Sequence, residues 1–75
     1  MASSQVVRAE VGYAVRMLLS LVPPLRAPAE QRSDYQLLKA EIYDLIAATN
    51  PSVAVQASIV AEAARREARI IALDF

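Results

Sequence analysis

Four prolines and a single glycine are the only strong backbone breakers in this chain, and their placement fixes how many regular elements it can hold. Pro23 and Pro24 stand together, Pro28 follows four residues on, and Pro51 stands alone. A proline ring removes a backbone donor and pushes the residue before it out of helical geometry. Three breaker-free stretches remain, and Gly12 lies inside the first. Fifteen alanines among 75 residues make these stretches helix formers. No stretch alternates apolar and polar residues as a half-buried strand does, and no internal repeat is present. The chain therefore reads as one all-α domain over 1–75, with three helices at about 4–22, 28–49 and 51–73.

Local signals set the expected ends. Ser3 or Ser4 can cap the first helix, and Pro23 stops it. Pro28 suits the first turn of the second, although Ser33 with Gln36 also forms a capping-box pattern and would start it later. Asn50 followed by Pro51 predicts a capped start for the third.

Helical periodicity then assigns faces. Val6, Val7, Val11, Tyr13, Ala14, Val15, Met17, Leu18, Leu21 and Val22 spread over about two thirds of the first helix, far wider than the ~100° stripe of an ordinary surface helix. The second helix repeats Tyr35, Leu38, Ile42, Leu45, Ile46 and Thr49 at three- and four-residue steps. The third carries Ala57, Ala61, Ala64, Ala68, Ile71 and Phe75 in a 4-3-4-3-4 rhythm, with Val53 and Val60 on the same face. Small side chains on such a seam allow a close helix contact. A weaker apolar stripe of Val55, Ile59, Ala63 and Ile70 runs beside it, and Glu62 is placed to pair with Arg65 or Arg66.

A chain this short buries only about 60% of its unfolded surface, yet 56% of its residues are hydrophobic. The surplus predicts a bundle completed by homodimerisation, or a small subunit of a hetero-complex. Val11, Val15, Leu18, Ala57, Ala61, Ala64, Ala68 and Ile71 are the expected interface.

Chemistry is scarce. Without Cys or His there is no thiol nucleophile, imidazole base or usual zinc ligand set. One glycine cannot build a phosphate-binding loop. Glu41 and Asp44 offer too few oxygens for a cation, and Glu10, though flanked by apolar residues, lies close enough to the helix start to reach water. No catalytic, cofactor-binding or metal-binding residue is expected, and no small-molecule substrate. No apolar run approaches the length of a membrane span, and the first residues lack the pattern of a signal peptide, so a cytoplasmic protein is expected.

Nucleic acid is the other class of partner. A helix-turn-helix over Leu45–Glu62 would present Val53, Ala54, Val55 and Ile59 to the bases, which donors should occupy instead. Arg65, Arg66 and Arg69 form the one basic cluster, and in a twofold dimer two such clusters could contact the phosphates of a duplex. The Pro51-Ser52-Val53 step into the third helix, and Ala27-Pro28 followed by Arg32, Asp34 and Leu38, resemble the viral RNA-silencing suppressors of the nodavirus B2 kind. That resemblance implies a dimeric three-helix protein binding double-stranded RNA by shape. The basic residues which that family places in its long second helix are represented here only by Lys39, so no binding residue is carried over.

Overall fold

A computed structural model describes the chain from Ala2 to Phe75, with side-chain surroundings from Glu10 onward. Three helices occupy the expected stretches: α1 (Ala2–Ser20), α2 (Ala29–Thr49) and α3 (Ala54–Ala72). Among the described residues there is no strand. The surroundings of Val6, Val7 and Arg8 lie outside the described side chains.

The ends differ from expectation in several places. α1 begins at Ala2, so Ser3 and Ser4 lie within the helix instead of capping it. Nothing between Ala2 and Gln5 breaks a helix. At its other end α1 closes at Ser20, whose hydroxyl donates to the Met17 carbonyl at 2.7 Å, while the Leu21 N–H turns back to Leu18. Pro23 excludes Val22 from helical geometry.

Pro28 is extended (ψ 147°) and serves as the N-cap of α2, one residue outside the helix. Asn50 does not cap α3. Its amide instead donates backwards, to the Ile46 carbonyl at 3.3 Å and the Thr49 hydroxyl at 2.9 Å, and so closes α2. Pro51–Val53 then form a single 3-10 turn, and α3 proper starts at Ala54.

The centre of the molecule is an antiparallel hairpin of α2 and α3. The alanine seam of α3 forms half of it, with Ala57, Ala61, Ala64, Ala68 and Ile71 all buried and Ala61 at 0% exposure. Val53 and Phe75, expected on this face, are exposed because the 3-10 turn and the C-terminal turn lead them off it.

α2 answers with two small residues and one isoleucine. Ser33, Ala40 and Ile46 are its buried positions, and Ala40 packs with Ala61 and Ala64, with the half-buried Tyr43 against them. Ser33, expected at a cap, donates its hydroxyl to the Ala68 carbonyl at 3.2 Å across the hairpin. Seven residues forward on α2 and seven back on α3, Ala40 meets Ala61, so the register repeats every two turns. The Leu38 and Leu45 stripe expected to be buried is exposed. Two backbones drawn together by alanine leave no room for leucine between them.

α1 packs on α2 and, among the described residues, does not reach α3. The helices thus lie in one layer in which α1 overlaps only part of α2 and reaches past the hairpin, and the molecule measures 46 × 23 × 12 Å, longer than the ~32 Å of a 21-residue helix. Its thinnest dimension is about one helix diameter. The radius of gyration is 13.6 Å, against about 11 Å for a compact chain of this length. A single row has no enclosed interior, and among the described residues no large side chain is fully buried.

Candidate interaction surface

Most of the expected interface is used inside the chain. Ala57, Ala61, Ala64, Ala68 and Ile71 are spent on the α2 contact, and Leu18 is buried where α1 meets the rest of the chain. Val11 and Val15 are half-buried. A partner could reach the alanines only by opening the hairpin, so the seam is a core and not a free surface.

Other faces are left open. Along α1 and the turn that ends it, Tyr13, Met17 and Leu21 recur every fourth residue and are exposed, together with Leu19. On α2 the open residues are Leu37, Leu38 and Leu45. On α3 they are Val55, Ile59 and Ile70, 72%, 63% and 54% exposed, which is the weaker stripe read from the sequence. What periodicity missed was the place of Leu38 and Leu45 on α2, because smaller residues took the closest contact.

The basic cluster of α3 is largely paired. Arg65 spans the hairpin, donating to Asp44 at 2.7 Å and to Glu62 at 3.1 Å. The hydrogen bond to Glu62, and then that to Asp44, raises the guanidinium pKa above its already high ordinary value. Arg69 lies 3.9 Å from the other oxygen of Glu62. Arg66 alone of the three arginines has no ion pair among the described residues. Glu10 is exposed, and Glu41 and Asp44 do not gather the donors of a metal site among the described residues.

One groove lies at the open end of the hairpin, where the linker crosses it. It has a volume of about 250 Å³ and is lined by Val22, Pro23, Tyr35 and Ile71, with Arg32 and Glu67 at its rim. Arg32 also donates to the Ala27 carbonyl at 3.1 Å and holds the linker in place. Burial, and then the neighbouring Tyr43, raise the Tyr35 pKa. The groove is smaller than the ~300–1,000 Å³ of typical ligand sites, and it brings no nucleophile together with a base.

No described helix is long and apolar enough to cross a membrane. Comparison with known protein families, curated proteins and solved structures finds no match to this chain.

Proposed function

We propose that this chain is a non-enzymatic helical assembly module that works as a homodimer, each copy covering apolar helix faces the other leaves open. The observation that carries this reading is the accessible surface. The chain exposes 5492 Å², about 950 Å² more than size scaling gives for a compact monomer of its mass. A standard protein interface takes about 800 Å² from each partner. The surplus therefore matches what one partner of similar size removes. Among the described residues, fifteen large hydrophobic ones are exposed, too many to be the scattered apolar residues of an ordinary surface.

The architecture argues in the same direction. Stable domains pack at least two layers of secondary structure around a core, and a row of three helices is one layer. A net charge of zero leaves no long-range repulsion between copies.

Double-stranded RNA is the less favoured partner. Two of the three clustered arginines are occupied by carboxylates, which leaves Arg66 alone, among the described residues of that cluster, to follow a phosphate backbone.

Size-exclusion chromatography with light scattering, with and without a short RNA duplex, tests both. A mass of twice 8.2 kDa that ignores the duplex supports the assembly module. Co-elution with the duplex, lost on adding salt, would replace it with the RNA reading.

A further inference from the structure

We propose that the second copy docks on the outer edge of α3, the two α3 helices running antiparallel about a twofold axis between Glu62 and Ala63. This rests on the assembly reading above and adds to it the surface, the orientation and the residues at the axis.

α3 meets α2 through its alanine side. At 100° per residue, the side turned away from α2 carries Val55, Ile59, Arg66 and Ile70, with Glu62 and Ala63 flanking that line. Among the described residues no helix of the same chain lies against this edge, since α1 contacts α2 alone. The stripe is thus the open end of the row.

Its spacing is self-complementary. Val55 and Ile59 are four residues apart, as are Arg66 and Ile70, and the midpoint of the set falls between Glu62 and Ala63. An isologous contact requires a surface that fits itself after a half turn. Antiparallel superposition about that midpoint sets Val55 against the partner's Ile70, and Ile59 against the aliphatic stem of the partner's Arg66. Long cationic side chains cover apolar surface in this manner while keeping the charged head in water.

The charges fit as well. Arg66 is the arginine of the cluster without an ion pair among the described residues of its own chain. Across the axis its guanidinium comes within reach of the partner's Glu62. The two Glu62 carboxylates fall on the same flank of the axis, each already bonded to Arg65 and 3.9 Å from Arg69 of its own chain, so they do not oppose the contact, and Arg66 joins this exposed network from across the axis. Ala63 occupies the other flank, and its small side chain lets the helices approach closely.

The absence of cysteine gives a direct test. Ala63→Cys places two thiols beside the axis, within the ~3.5–4.5 Å Cβ separation a disulfide needs, so mild oxidation at micromolar concentration should cross-link the variant into a dimer. Leu37→Cys, also at an exposed position but on α2, should stay uncross-linked under the same conditions. In parallel, Ile59→Glu should weaken the dimer about 30-fold or more and keep the helical circular dichroism of the wild type, because Ile59 is exposed within the chain.

A wild-type dimer that persists in Ile59→Glu, with Ala63→Cys cross-linking no faster than Leu37→Cys, would overturn the α3 edge and leave the assembly reading standing. A wild type that is monomeric at every concentration would overturn both. If Ile59→Glu loses its helical signal, cross-linking of the Ala63→Cys variant decides alone.

Discussion

Ala61 is the residue on which the hairpin spacing depends. It is completely enclosed between Ala40 and Ala64, so a larger side chain has nowhere to go without separating α2 from α3. Ala61→Leu should cost about 1–3 kcal/mol, read as a lower urea midpoint, and Ala61→Glu should abolish the helical signal itself, because an unpaired charge would enter the contact. Ser33 makes the opposite kind of contribution. Its bond to the Ala68 carbonyl is buried, and Ser33→Ala, which keeps the close approach but loses the bond, should cost about 1 kcal/mol.

Tyr35 supplies a pH dependence at the same scale. Its pKa is raised in the folded chain, first by burial and then by Tyr43, so the fold favours the neutral phenol. The associated stability is complete below the unfolded value of 10.0 and is lost as pH rises through the higher folded value. Urea titrations should give a falling midpoint above about pH 10, with a shallower fall in Tyr35→Phe. An equal fall in the variant would mean that other groups carry the alkaline sensitivity.

At the scale of elements, the helices were legible because proline is unambiguous. The stops at Pro23, Pro28 and Pro51 bound all three helices to within a few residues. The alanine seam was legible too, since Ala57, Ala61, Ala64 and Ala68 hold their rhythm in the folded chain. The face of α2 was legible only in part: Ile46 is buried as expected and Tyr35 and Ile42 are half-buried, but Leu38 and Leu45 are exposed. Leu38, Ile42 and Leu45 dominate any count of hydrophobic residues, whereas Ser33 and Ala40 carry almost no weight in it. Yet a helix contact this close selects for small volume. Asn50 misled for a different reason: a side chain that can cap the next helix can also turn back on the one before.

Gly12 tests the remaining element. It sits within α1 without positive φ, and a Cβ added there meets nothing within 4 Å. Gly12→Ala should therefore stabilise the helix by about 0.5–1 kcal/mol through lower unfolded-chain entropy. A melting temperature higher by several degrees is the expected result; a decrease would mean that α1 is not continuous through this point.

For the whole molecule, the governing fact is that three helices in a row make one layer. The hairpin satisfies its own inner faces with alanine, and alanine buries little area per residue. The larger apolar residues, Tyr13, Met17, Leu45, Val55, Ile59 and Ile70 among them, are displaced to the outside. The same choice that makes the hairpin tight thus leaves the larger apolar side chains on the outer surface. An apolar surplus was visible in composition, and its place on α3 was marked by the weaker stripe of Val55, Ile59 and Ile70; the exposed Leu38 and Leu45 of α2 were not foreseen, because their place depends on which faces the hairpin uses first.

The central claim, that the chain completes itself with a second copy, is tested most directly by its mass in solution. Light scattering across a tenfold range of concentration should give twice 8.2 kDa, falling towards the single-chain mass only on dilution. A constant 8.2 kDa at every concentration would contradict the account, and the exposed faces would then belong to a different protein.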